Sequence, residues 1–167
     1  MQNRLETQIE GDVADWAAEM GLLSLKLNVL GSRAWPDRHF IGLDGRSAFI
    51  EFKRPGEYPR PNQLLKLWEL LDRGQYAVWT DNFSDAVSFL ATTLLSEERN
   101  AHDDFSSVRR DVLGSWARED YNLLGFLRDL KESKNLQEYA RCCSASRMLQ
   151  RLAEGGQKVA RISAPKS

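Results

Sequence analysis

A chain of 167 residues, 42% hydrophobic and 28% charged, is long enough for one domain with a real core, or for a domain plus an appendage. A net charge of −1 excludes an indiscriminate polycation, and no apolar run approaches membrane-spanning length. The only cysteines, Cys142 and Cys143, are adjacent and lack zinc-ligand spacing, so neither a structural disulfide between them nor a zinc site is expected.

The N-terminus is polar and acidic and does not read as a signal peptide; a reducing, cytoplasmic setting is the expectation. Charge is unevenly spread. Residues 33–66 hold Arg33, Arg38, Arg46, Lys53, Arg54, Arg60 and Lys66 against Asp37, Asp44, Glu51 and Glu57. Residues 96–120 are acidic and the tail from Tyr121 is basic. A nucleic-acid partner needs a local positive face rather than a high overall pI, and this pattern permits one.

Arg4–Met20 reads as a helix: Leu5, Ile9, Val13, Trp16, Ala17 and Met20 recur at helical spacing, and Gly21 is a natural stop. Glu6 and Glu10 lie one turn apart on the flank of that stripe. They read either as solvated surface acids or as carboxylates leaning over the edge of whatever the stripe covers. Leu22–Leu30 alternates, with Leu23, Leu25, Leu27 and Val29 on one side and Ser24, Lys26 and Asn28 on the other, which predicts a half-buried strand. Lys26 then faces either a site or plain solvent. Gly31–Trp35 is a loop.

Two apolar runs, His39–Leu43 and Ala48–Phe52, flank Asp44-Gly45, a strong hairpin signal. The second run ends in Glu51-Phe52-Lys53. Glu51 and Lys53 point the same way in a strand, roughly 7 Å apart. An acid and a lysine at the end of an oily strand are costly to bury without partners. A plain two-residue turn would pair Asp37 with Phe52 and put Asp37 on the wrong face. A three-residue loop of Leu43, Asp44 and a left-handed Gly45 pairs Asp37 with Glu51, and that longer loop, or an equivalent bulge, is the expectation. Two carboxylates so placed make a hard-cation site, and the lysine can handle a proton or an anion.

Arg54–Arg60, with Pro55, Gly56 and Pro59, is a loop beside that strand end. Pro61 suits the first turn of a helix running to about Asp72, with Leu64, Leu65, Leu67, Trp68 and Leu71 as its oily face. Gln63 lies in its first turn, where free N–H groups favour anions. Gln75–Thr80 is a short buried strand, reached by a crossover from the strand ending at Lys53. Ser84–Leu95 is another helix, with Ser84 or Asn82 near its cap. Val108–Trp116, Tyr121–Lys131 and Leu136–Ala153 look helical, with Gly114, Gly125 and Gly155–Gly156 as interruptions and a frayed final ten residues. His102 lacks partners at metal-ligand spacing. Arg141, Arg147, Arg151, Lys158 and Arg161 are open to nucleic-acid contact or to a helical dimer interface.

Pro36-Asp37, thirteen residues, then Glu51-Phe52-Lys53 resembles the PD-(D/E)xK nuclease signature. Gly31-x-Arg33-x-x-Pro36-Asp37-Arg38 and the later Gln63 are similar to its VRR-NUC family. The resemblance covers roughly residues 4–95. It implies an α/β fold, an α+β mixed sheet with a restriction-endonuclease-like αβββαβ core over 1–95; the helical pattern over 96–167 lies outside the resemblance and reads as an extension for dimerisation or DNA binding. It implies a metal-dependent endonuclease acting on DNA, with branched or four-way-junction substrates and a homodimer. A nuclease-fold module that binds or assembles without cutting is the alternative.

The implied site follows residue by residue. Asp37 and Glu51 ligate Mg²⁺ or Mn²⁺ at about 2.1 Å. The Phe52 carbonyl joins them. Glu10, placed about eleven residues before the glycine that ends the first helix, approaches the metal through water or holds a second ion, with Glu6 as the fallback. Lys53 orients or deprotonates the attacking water, or stabilises phosphate charge directly. Gln63 contacts water or phosphate. Arg33, Arg38, Lys26, Arg54, Arg60 and Lys66 are the candidate DNA contacts.

Overall fold

The computed structural model describes residues 5–97 and 136–163. Its central hairpin sets the geometry of the rest. Strand β2 (Arg38–Ile41) pairs antiparallel with β3 (Ser47–Phe52): Arg38 stands opposite Ile50, His39 opposite Phe49 and Ile41 opposite Ser47. The Gly42 N–H closes the ladder on the Arg46 carbonyl at 2.8 Å. The loop is therefore Leu43, Asp44 and Gly45. Gly45 has φ +85°, the left-handed residue that a three-residue hairpin loop calls for. One step further along this register, Asp37 falls opposite Glu51, as the longer loop requires.

Strand β1 (Leu23–Lys26) pairs antiparallel with β2, and β4 (Tyr76–Thr80) pairs parallel with β3. The result is a mixed four-stranded sheet in the order β1-β2-β3-β4. A parallel neighbour demands a crossover, and α2 (Pro61–Asp72) supplies it. Pro61 opens α2, where its missing N–H costs nothing, and Leu64, Leu67 and Leu71 are fully buried along one side. Helix α1 (Glu6–Glu19) buries Ile9, Val13 and Ala17, successive turns of one stripe. In α3 (Phe83–Leu90), the Asn82 side chain accepts the Asp85 N–H at 2.8 Å as an N-cap. The chain then widens into a π-helical turn, Ala91–Leu95. Arg46 donates to the carbonyls of Thr93 (2.9 Å) and Ser96 (2.7 Å), satisfying groups that a helix end leaves open.

Strand alternation sorts the side chains. Arg38, Phe40, Ala48, Ile50, Phe52 and Val78 share one face; Asp37, His39, Phe49, Glu51, Ala77 and Trp79 share the other. Phe40, Ile50, Phe52 and Val78 are fully buried in the main core. The strand over residues 22–30 departs from expectation. It spans only Leu23–Lys26, and Leu23 and Leu25 are 55% and 41% exposed. The polar side faces inward instead, because Lys26 reaches a carboxylate of α1 and α2 lies over β4, at the far edge of the sheet.

The helix expected over Leu136–Ala153 is two helices, α4 (Leu136–Cys142) and α5 (Ala145–Ser163). They break where the backbone meets the open edge of β4: the Trp79 N–H donates to the Cys143 carbonyl at 3.2 Å, and the Trp79 indole N–H to the Ala140 carbonyl at 2.6 Å. An unpaired strand edge is thereby covered. Ala140, Cys143, Ala145 and Met148 join the core, and burial pushes the Cys143 thiol up. Helix α5 continues through Gly155–Gly156 to Ser163, so the expected interruption does not match it, and the end of the final ten residues, 164–167, lies outside the described residues. Each glycine weakens a helix by only about 1 kcal/mol relative to alanine. The helices expected over 108–116 and 121–131, and His102, lie outside the described residues. No helix among the described residues is long and apolar enough to cross a membrane.

Candidate active site

The hairpin register delivers two carboxylates to one place. Asp37 stands just before β2, and its Oδ2 accepts the Phe52 N–H at 2.7 Å. That bond ties the entry of one strand to the exit of the next. Its own carbonyl accepts the Leu27 N–H at 2.9 Å, so the β1–β2 connection is pinned at its base. Glu51 sits on β3 and is 1% exposed. Lys53 follows it, its backbone N–H held by the Thr80 carbonyl at 2.9 Å. The sheet therefore fixes the main chain of both Glu51 and Lys53.

The two oxygens of Glu51 are used unequally. Oε1 accepts from Lys53 Nζ at 2.5 Å and also from Gln63 Nε2. Oε2 is buried with no hydrogen-bond partner. Gln63 reaches Glu51 in a fixed orientation. Its Oε1 accepts the Arg60 N–H at 2.9 Å, capping the start of α2, which turns its NH₂ toward the strand. Burial, and then the Asp37 charge, push the Glu51 carboxyl up to about 7, with Lys53 opposing. The Asp37 carboxyl is also raised, chiefly by burial, against the lowering effect of the Phe52 N–H. A buried and a half-buried carboxylate with one lysine, bonded to the first, are short of positive charge.

Both acids, Lys53 and Gln63 open into one cleft of about 710 Å³, which Glu6, Arg33, Trp35 and Arg60 also line. The β1–β2 connection, residues 27–33, forms one wall. The cleft brings Asp37, Glu51, Lys53, Gln63, Arg33 and Arg60 together.

Other candidates fall elsewhere. Glu10 does not line the cleft. It is 5% exposed, and its Oε1 takes Arg38 Nε at 2.9 Å and Lys26 Nζ at 3.1 Å. Arg38 Nη1 also donates to Ser24 Oγ at 3.0 Å. Lys26 and Arg38 share the α1 side of the sheet, so both are occupied in neutralising Glu10. The fallback, Glu6, is the α1 carboxylate in the cleft wall, and its charge raises both Asp37 and Glu51. Arg54 is exposed on the loop after Lys53. Lys66 pairs with Glu69 and sits 5.1 Å over the Trp35 ring. The Phe52 side chain is fully buried.

Sequence reasoning missed Trp35 and Leu30 in the cleft wall. The available signal was a large apolar residue beside Gly31 and another beside Pro36-Asp37, in a segment that otherwise reads as loop.

The donor set suits a hard divalent cation. Mg²⁺ is commonly held by one or two carboxylates, with water completing its shell. Asp37 and Glu51 supply two, and the partnerless Glu51 Oε2 is a buried anionic atom of the kind a cation satisfies. Among the described residues no group of three or more His, Cys, Asp or Glu is placed to hold a metal ion. No protein-family model matches the chain, and no curated protein matches its sequence.

Proposed function

We propose that this chain is a Mg²⁺- or Mn²⁺-dependent endodeoxyribonuclease with a restriction-endonuclease-like PD-(D/E)xK core of the VRR-NUC kind. One observation carries the reading: Asp37 and Glu51 open into the same cleft as Lys53, with Glu51 Oε2 buried and unsatisfied. Buried polar atoms are seldom left unpaired, and an ion is one of the groups that satisfies such an atom.

Asp37 and Glu51 would hold the cation, and the Phe52 carbonyl would join them. When bound, the ion supplies Lewis-acid stabilisation of phosphoryl charge and a more acidic water. The chain supplies the rest. Lys53 Nζ, anchored on Glu51, positions a water proton or the phosphate at the cleft floor. Gln63 holds Glu51 Oε1 from the helix side and leaves Oε2 free to take a cation. Arg33 and Arg60 offer guanidinium forks to flanking phosphates. A twofold dimer acting on branched DNA suits two paired incisions.

Incubation with four-way junction, flap, linear duplex and single-stranded DNA, with Mg²⁺ or Mn²⁺, tests this. The wild type cuts a branched substrate, and Lys53→Ala cuts none. A wild type that binds these DNAs and cuts none is the binding module instead.

A further inference from the structure

On the reading that the cleft cuts DNA, we propose that Leu30 is a wedge that unstacks the duplex beside the cleaved phosphate. The substrate class is then DNA whose base stack is weak or already broken at the cut, such as a branch point.

Leu30 is 95% exposed, although it lines the same cleft as Asp37, Glu51 and Lys53. A leucine so exposed contributes almost nothing to the core. It is also held in place rather than trailing. The Ser32 N–H donates to the Val29 carbonyl at 3.2 Å, and Gly31 has φ +78°. That is a tight turn with the left-handed residue third, and it puts Leu30 at the projecting second position. The base of the loop is pinned by the Leu27–Asp37 backbone bond.

The surroundings select nucleic acid over an apolar protein partner. Arg33 follows the turn by one residue beyond Ser32 and faces the same cleft, where it can hold a phosphate. Trp35 lines the same wall, its ring 6.3 Å between centroids from Phe49 and with the Lys66 ammonium 5.1 Å over it. Apolar side chains on minor-groove and architectural proteins wedge between base steps, and aromatic rings accept displaced bases. An apolar tip, a guanidinium and an indole within one wall, beside two carboxylates and a lysine, match that task.

The test uses full-length protein and DNA carrying 2-aminopurine next to the cut position. Lys53→Ala protein with Mg²⁺ serves for binding, so that cleavage does not confuse the signal. Binding raises 2-aminopurine fluorescence, and Leu30→Ser added to that protein removes the rise with little change in affinity. In the otherwise wild-type enzyme, Leu30→Ser slows cutting of fully paired substrate about tenfold or more. It leaves cutting unchanged where an unpaired nucleotide is already present at the site. Equal fluorescence with and without Leu30, or equal slowing on both substrates, overturns the wedge. Loss of self-association by Leu30→Ser with fluorescence intact also overturns it, and assigns Leu30 to a protein interface. Failure of the wild type to cut any DNA overturns the nuclease reading instead, and the fluorescence arm is read independently of it.

Discussion

Gln63 is aimed at Glu51 by its own helix. The Arg60 N–H fixes the Gln63 carbonyl oxygen, and the amide NH₂ then meets Glu51 Oε1. A capping residue at the start of α2 thus doubles as a support for a carboxylate on β3. Gln63→Glu can keep the cap but not the donor, and it adds a like charge. It should cost about 2–3 kcal/mol at neutral pH, less as the two carboxyls share a proton at lower pH, and lose at least about tenfold in cleavage. Gln63→Ala should lose both. Thermal melts and single-turnover cleavage separate the two effects.

Glu51 makes stability depend on pH in a direction opposite to an ordinary surface acid. Its carboxyl rises from an ordinary 4.5 to about 7 in the folded chain, so the folded state binds the proton more tightly. The stability this contributes is full below about pH 4.5 and is lost as pH rises through 7, up to about 3 kcal/mol. Asp37, also raised, adds to the same trend. Metal-free protein in EDTA should therefore lose melting temperature from pH 5 to pH 8. Mg²⁺ should restore more of it at pH 8 than at pH 6, because the cation needs both acids ionised. Glu51→Gln should flatten the profile and remove the Mg²⁺ effect.

The two acids of α1 should separate by phenotype. Glu10 is buried between Arg38 and Lys26, so Arg38→Met strands a charge and should cost about 3 kcal/mol of stability. Glu10→Gln should lower the melting temperature while leaving Mg²⁺ affinity within about twofold. Glu6→Gln should do the reverse, with near-normal melting and weaker Mg²⁺ binding, since Glu6 lines the cleft. Melting and metal titration on the same preparations check both.

The hairpin loop is the device that places Asp37. Gly45→Ala puts a Cβ at φ +85° and should cost about 1–2 kcal/mol without changing the cleft. Inserting one alanine between Asp37 and Arg38 keeps the loop but moves Asp37 opposite Phe52, and Mg²⁺ binding should then disappear even in protein that still folds. Circular dichroism reports the fold and calorimetry the metal.

Much of this was legible because local chemistry and global demand agreed. Asp44-Gly45, the position of Asp37 and the Glu51–Lys53 alternation together forced a three-residue loop, and the register follows it. Pro61 announced α2 with its start and length. Leu23 and Leu25 misled because alternation says that a strand has two faces, not which one a helix will cover. Glu10 misled for a related reason. Its position on the wheel was right for an edge, but Arg38 and Lys26 come from strands whose facing only the register decides. The break at Cys143–Ser144 had no sequence signal, since it is set by the distant edge of β4 at Trp79.

The most direct test is calorimetric titration of Mg²⁺ or Mn²⁺ into wild type, Asp37→Asn and Glu51→Gln at pH 8. Saturable binding by the wild type that is lost in each variant is the expected result. Equal binding by all three proteins, or none by the wild type, would show that the two carboxylates do not share a cation.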